Sequence, residues 1–317
     1  MGQAVKWDML VLGGANMDYA TRGPQLPGAG RSVQGDLFIE TPGGKGANQA
    51  IAAARLGAKV ALVACIGRGK RGEAILQVLN AEGVNTDFVV RHPSEPTGVV
   101  LIHIDTQGEK QTMAVKGANS HLRIKDLPEQ ALRGSGAVLA QLEIPLDTVI
   151  AAARLAKAAG ANFILDPAPP LHLPDELLGL ANLVKPNSFE AEFLTGIKVS
   201  DRGSAREAAM RLRERGAKAV SIQAGSQGNL LVWEGGECWN AHLPVNSVDT
   251  TGAGDAMAAA LALALVEGWG YEKAGPFANA AAALATRKMG AQAALPSRAE
   301  VLQFLKTEVG PSKHVYG

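Results

Sequence analysis

The 317-residue sequence predicts an α/β fold: a doubly wound, mainly parallel sheet with helices on both faces, plus a small β-sheet lid. Three observations carry this. Short apolar runs bounded by Gly, Pro or Asn alternate with longer helical stretches. The helical stretches close on glycine, the residue that most readily takes the left-handed conformation ending a helix. With 37 glycines, 47% hydrophobic residues and only 4% aromatics, the composition suits short turns and alanine-rich helices better than a β-sandwich.

In chain order, strands are expected at 9–12, 60–65, 137–141, 162–166, 183–185 and 219–223, each apolar enough to be buried on both faces. Helices are expected at 47–56, 73–82, 146–159 and 205–215, closed by Gly57, Gly83, Gly160 and Gly216. In such a fold, ligands bind beyond the carboxyl ends of the strands. Segments 15–41 and 95–116 break the alternation; stretches such as TGVVLIHID and GEKQTMAV read as extra antiparallel strands. They are expected to cover the site as a lid on a single domain spanning 1–317.

Composition excludes several classes of function. Thirty-one basic residues face 30 acidic ones, so no global field favours nucleic acid or anionic lipid, and a phosphate must be recognised locally. Cys65 and Cys238 lie far apart without CxxC spacing, which suits buried thiols in a reducing, cytoplasmic compartment rather than zinc or a disulfide framework. The longest apolar run, 256–266, falls short of the roughly 18–20 residues needed to span a bilayer. The start, MGQAVKWDMLVLGG, is too brief and poorly flanked for a signal peptide, and the whole chain is read as the mature one.

The densest chemistry lies in SVDTTGAGDAM at 247–257, at the mouth of the alanine and leucine run. Ser, Thr and Asp cap helices by accepting their orphan N–H groups. One such residue suffices for a cap, whereas Thr250, Thr251 and Asp255, with Gly252 and Gly254 between them, exceed that need. Bare N–H groups at 252–255, on the positive end of a helix dipole, would form an anion hole from Gly252, Ala253, Gly254 and Asp255. Asp255 beside it would take the proton of an attacking hydroxyl while the N–H groups stabilise charge on a transferring phosphoryl group. No GxxxxGK[ST], HExxH or GxSxG occurs, and GGANMD at 13–18 is not GxGxxG, so P-loop, metalloprotease, hydrolase and dinucleotide-dependent readings fail.

TTGAGD before an Ala-rich helix, together with GGKGANQA at 43–50, resembles the ribokinase-like family of carbohydrate kinases, over nearly the whole chain. GGANMD is similar to the family's sugar-binding segment and implies contacts from Asn16 and Asp18. GGKGANQA implies contacts from Gly44, Lys45 and Asn48, in the form carried by the family's ribose kinases. QLEIP at 141–145 implies Glu143 facing the sugar. KPNSFEAEFLTG at 185–196 implies Asn187 near the phosphates of ATP and Glu190 holding Mg²⁺ through water. GSQG at 225–228 resembles the turn over the nucleotide, with Gly225 and Gly228; Gln223 and Gly254 adjoin it, and Asn279 falls where the family covers the base.

The resemblance also implies a monovalent cation, K⁺, held near Asp249 and by carbonyls of the 251 and 286–294 segments, Thr251 and Gly290 among them. Departures are Ser188 where an acid is common, Gln223 where a small hydroxyl residue is usual, and RKMGAQAAL at 287–295, with an extra residue and Ala294 where serine is frequent. The implied reaction is transfer of the ATP γ-phosphoryl group to the 5-hydroxyl of ribose. A kinase for another sugar or a nucleoside is the alternative, and a non-catalytic sugar sensor is a further one, which the intact Asp255 and glycines oppose. Apolar residues Val99, Leu101 and Ile102 in a peripheral stretch lead to the expectation of a homodimer joined through the lid.

Overall fold

The structure is a computed structural model, and it describes residues 7–107 and 109–308. The ends of the expected 1–317 domain, which include the first residues of the MGQAVKWDMLVLGG stretch, and Gly108 of the 95–116 segment lie outside the described residues. The strands are β1 (Trp7–Leu12), β2 (Asn16–Gly23), β3 (Leu37–Gly43), β4 (Val60–Gly67), β5 (Val89–His92), β6 (Gly98–Asp105), β7 (Lys110–Val115), β8 (Ser135–Ala140), β9 (Asn162–Leu165), β10 (Leu183–Val184), β11 (Val220–Gln223), β12 (Gly228–Trp233) and β13 (Gly236–Ala241). The helices are α1 (Lys45–Arg55), α2 (Lys70–Ala81), α3 (Glu129–Arg133), α4 (Leu146–Ala159), α5 (Asp175–Leu180), α6 (Ser188–Thr195), α7 (Arg202–Glu214), α8 (Ala253–Val266), α9 (Tyr271–Leu284) and α10 (Arg298–Glu308).

Nine strands form one sheet in the order β13-β12-β11-β10-β9-β8-β1-β4-β5. Pairing is parallel from β11 through to β5, and antiparallel at the β11-β12-β13 edge. Strand alternation divides the core. Met9 and Val11 of β1 join Ile51 of α1, Leu261 of α8, Phe277 of α9 and Val301 of α10 on one face. Leu10 and Leu12 join Val149 of α4, Leu177 of α5 and Leu212 of α7 on the other. That is the doubly wound arrangement expected of buried parallel strands. α8 is apolar all round because it packs between α1, α9 and the sheet, where alanines allow close approach. Among the described residues no helix is long and apolar enough to cross a membrane.

Strand and helix positions follow the sequence closely, but α1, α2 and α7 start at Lys45, Lys70 and Arg202, ahead of the expected 47, 73 and 205. Their first turns carry glycine and charged residues, so the apolar period begins late. Cys65 is buried, whereas Cys238 on the edge strand β13 is only half-buried.

β3-β2-β6-β7 form a separate four-stranded sheet. Its pairing corrects the expectation of purely antiparallel strands: β2 and β6 run parallel, Asn16 opposite Gly98 through Gly23 opposite Asp105. β2 leaves directly from the end of β1 and β6 from a distant connection, so the two cannot be joined as a hairpin. The pleat also divides the apolar residues expected to lie together. Val100 and Ile102 face the cleft between the two sheets, Leu101 is exposed on the outer face, and Val99 packs against the main core.

Candidate active site

A cavity of about 770 Å³ opens at the carboxyl ends of β1, β8, β9, β10 and β11, beneath the small sheet. Asn16, Asp18, Gly44, Lys45, Asn48, Glu143, Asn187, Glu190, Gln223, Gly225, Gly228, Thr251, Gly252, Ala253, Gly254, Asp255 and Asn279 all line it. Asp249 and Gly290 stand behind the wall, linked to it through Thr251.

The head of α8 is built as an open turn. Gly252 takes φ 88° with no side-chain cap, and a Cβ there would lie 2.3 Å from the Ala291 carbonyl oxygen, so only glycine fits. The threonines do other work: the N–H and hydroxyl of Thr251 both donate to Asp249 Oδ1, at 3.0 and 2.7 Å. The N–H of Ala253 turns back to the Thr250 carbonyl at 3.2 Å. Of the four N–H groups expected to form an anion hole, that of Ala253 thus has a backbone acceptor, whereas those of Gly252, Gly254 and Asp255 are orphan donors at the helix N-terminus.

Asp255 is buried in the first turn of α8. Asn48 Nδ2 donates to its Oδ2 at 3.0 Å and Gln49 Nε2 to its Oδ1 at 3.0 Å. Both donors come from the first turns of α1, whose N-terminus must press against the β1 exit. Gly44 makes that approach possible, with φ 90° and an added Cβ that would meet Asn16 N at 2.7 Å. Glu143 then accepts the Lys45 backbone N–H at 2.9 Å and receives Asn16 Nδ2 at 3.5 Å. Asn119 fixes Asn16 by donating to its Oδ1 at 2.7 Å and accepting the Ala15 N–H at 2.9 Å. Asp18 Oδ1 is buried with no hydrogen-bond partner in the protein.

Toward the other end, Asn187 caps α6. Its side chain accepts the Glu190 N–H at 2.8 Å, and Glu190 returns by accepting the Asn187 N–H at 2.8 Å. Capping and cavity lining thus coincide in the same two residues. Gln223 at the end of β11 accepts from Lys185 Nζ at 3.2 Å, and Asn279 donates to the Ala241 carbonyl at 2.9 Å.

Acids crowd this space, and burial sets their chemistry. Burial, with Glu143 and Asp255 nearby, pushes Asp18 up to about 7. Burial likewise raises Glu143, Asp255 and Glu190 above the ordinary carboxylate range, the positive Lys45 opposing it in each. For Lys45 burial works against the charge, but Asp255, Asp166, Glu143 and Glu190 together hold the ammonium well above the usual lysine range.

The sequence profile described as pfkB family carbohydrate kinase matches residues 7–298. The chain belongs to that family. This pfkB kinase is 38% identical over 300 residues to a ribokinase of Haemophilus influenzae, covering 94% of this chain and 98% of that one. It is 32% identical over 301 residues to a deoxyribokinase of Salmonella typhi, covering 94% and 98%. Among solved structures, a ribokinase of Arabidopsis thaliana complexed with ribose and ATP matches with a TM-score of 0.87 at 33% identity, covering 96% of this chain and 99% of that one.

Several residues of this pfkB kinase's site are given no role by the motifs, even where a motif contains them. Gln49 joins Asp255 to Asp166, whose Oδ2 accepts the same Nε2 at 2.8 Å. Asp166 and Lys185 form a buried pair at 3.4 Å. Both sit just beyond a strand's carboxyl end, a position that alone marks them in a parallel sheet. Asn119 and Lys110 lie on connections and strands of the small sheet, where no local pattern announces a role. Gln292, in the unusual 287–295 tail, donates to Asn48 Oδ1 at 3.0 Å, and Arg55 grips the same tail through the Gln292 and Leu295 carbonyls at 2.8 Å each.

The implied potassium site needs correction. Lys110 Nζ lies 2.6 Å from Asp249 Oδ1 and 3.0 Å from Thr251 Oγ1, so an ammonium already stands where the free cation was expected. Gly290 meets Asp249 through its N–H, at 2.9 Å from Oδ2, and not as the carbonyl ligand implied. With Lys110 in place these residues do not fit a separate monovalent cation.

Proposed function

We propose that the chain transfers the γ-phosphoryl group of ATP to the 5-hydroxyl of D-ribose, giving D-ribose 5-phosphate. The observation that carries this reading is the buried Asp255 carboxylate at the head of α8, in one cavity with the polar cluster Asn16, Asp18 and Glu143 and with the Asn187 to Gln223 wall. A pentose presents hydroxyls, and that cluster offers donors and acceptors to match them, including the unpartnered Asp18 Oδ1. The relatives named ribokinase, and the ribokinase complexed with ribose and ATP, support the same substrates.

In the mechanism, Asn16, Asp18, Gly44, Lys45, Asn48 and Glu143 hold the sugar. Asp255 accepts the 5-hydroxyl proton as that oxygen attacks. Asn48 and Gln49 hold its carboxylate turned and favour its charged form, against the burial that raises its pKa and its basicity. The N–H groups of Gly252, Gly254 and Asp255 take up charge developing on the phosphoryl oxygens. Asn187, Gln223, Gly225, Gly228, Gly254 and Asn279 bind the nucleotide. Glu190, an acid on the cavity wall, fits Mg²⁺ held through water; the ion when bound supplies charge neutralisation of the phosphates.

The small sheet, from segments 15–41 and 95–116, acts as the lid of a single domain. Its exposed apolar outer face makes a homodimer part of this reading, and the thiol-poor, charge-balanced composition a cytoplasmic one. The deoxyribokinase relative favours 2-deoxyribose as the rival substrate within the same chemistry. A panel of ribose, 2-deoxyribose, other sugars and nucleosides, assayed with ATP and Mg²⁺, tests the assignment. Highest kcat/KM on ribose supports it, and preference for a nucleoside or 2-deoxyribose replaces it.

A further inference from the structure

The carboxylate of Asp249 staples the turn that leads into α8. Its Oδ1 accepts the Thr251 N–H and hydroxyl, and its Oδ2 accepts the Gly290 N–H, so it ties the Thr250–Gly252 turn to the 287–295 tail. The fourth donor comes from elsewhere. Lys110 opens β7, at the tip of the β6-β7 pair, where pleat alternation turns Lys110 and Thr112 into the cleft and Met113 outward. Its ammonium spans from the small sheet to the main domain, 2.6 Å from Asp249 Oδ1 and 3.0 Å from the Thr251 hydroxyl. The hydrogen bonds are consistent throughout: the Thr251 hydroxyl donates to Asp249 and accepts from Lys110. These contacts hold Asp249, against the effect of burial, at about 2, so its carboxylate stays ionised across the working range.

We infer that this kinase carries its own cation, the Lys110 ammonium on the lid taking the place beside Asp249 and Thr251 that a free monovalent cation would otherwise fill. Two like charges on one carboxylate oxygen repel, so the lysine and a bound K⁺ exclude each other. The charge that steadies the α8 turn is thereby covalently attached to the lid, and it reaches Asp249 only when the small sheet lies over the cleft. The effect on turnover rests on the kinase reading above; the effect on the protein without substrate does not.

The experiment compares the unmodified protein with Lys110→Met and Lys110→Gln, in KCl and in tetramethylammonium chloride at matched ionic strength. Melting temperature is read without substrates, and turnover separately with ribose, ATP and Mg²⁺. The unmodified protein should melt and turn over alike in the two salts. Both variants should melt about 2 °C or more higher in KCl, and lose about tenfold in turnover in tetramethylammonium that KCl restores. A K⁺ response in the unmodified protein equal to that of the variants, or no K⁺ response in the melting of either variant, overturns the inference. If no sugar is phosphorylated at all, the melting comparison still decides it.

Discussion

The side-chain amide of Gln49 donates to Asp255 Oδ1 at 3.0 Å and to Asp166 Oδ2 at 2.8 Å, while its carbonyl accepts from Gln141 Nε2. Gln49 is fully buried, so it has no water to replace those partners. One neutral residue thus bridges the two acids and sets how their carboxylates are turned.

Gln49→Leu removes that donor and leaves two buried carboxylates under-satisfied. It should cost about 1–3 kcal/mol of stability in urea unfolding, with kcat reduced more than the KM for sugar is raised. Unchanged unfolding together with unchanged kcat would remove Gln49 from the positioning of Asp255.

Gly254→Val tests the anion hole. A Cβ at Gly254 would lie 3.2 Å from Lys185 Nζ and 3.4 Å from Gln223 Oε1, flexible ends that can yield, so the fold should survive. The branches of valine would then stand where phosphate must approach the backbone. Turnover should fall about a hundredfold or more, with sugar affinity measured by calorimetry much less affected. Equal loss of both would point to damage of the whole site.

Asp18 gives the site a pH signature. Its carboxyl is raised from 3.8 to about 7 by burial and by the neighbouring Glu143 and Asp255, so the folded protein holds a proton there that the unfolded chain has released. Stability from this group is fully present below pH 3.8, falls as pH rises, and is lost by about 7. Sugar hydroxyls donating to the charged form reverse the preference. Ribose affinity should therefore rise as pH passes through about 7, with proton release on binding. Calorimetry in buffers of different ionisation enthalpy reads that release, and Asp18→Asn should abolish it along with the corresponding slope in melting temperature. Persistence of both in the variant would assign them to another group.

The outer face of the lid exposes Leu101 at 40%, Met113 at 67% and Val115 at 56%, with Phe38 at 61% stacked on Tyr19 beside them. Leu101 and Met113 are direct cross-strand partners, so the apolar patch is continuous. Leu101→Glu should leave the fold intact, shift sedimentation toward monomer and weaken ribose binding. A monomer in the unmodified protein at concentrations where it is active would leave the lid as a single-subunit device.

The main sheet was legible because its strands are apolar on both faces and its helices are punctuated by glycine; 60–65 and 146–159 needed nothing beyond local pattern. The α8 turn was legible because Gly252 answers a steric demand at its own position. What local pattern cannot carry is partnership across the chain. Nothing around Lys110 signals Asp249, 139 residues away, and nothing in NQA at 48–50 shows that Gln49 faces two acids. The parallel β2-β6 pairing was hidden for the same reason, since hairpin-like stretches suggest antiparallel neighbours and the true partner lies far along the sequence. The edge strands β12 and β13 went unread because Leu230 to Trp233 is a short continuous apolar run that periodicity alone does not assign, and Cys238 beside Trp239 spoils the alternation of β13.

The central claim is that Asp255 takes the proton of the attacking hydroxyl. Asp255→Asn keeps the size of the side chain and one of its two acceptors, so one of the Asn48 and Gln49 amides loses its partner while the other keeps it, and the turn and the cavity should persist. The deciding measurement is single-turnover phosphorylation of ribose by this variant, with nucleotide affinity measured alongside. The account predicts a rate lower by about 10² to 10⁴-fold with nucleotide binding largely retained. Retention of more than about a tenth of the unmodified rate, with binding intact, would contradict it.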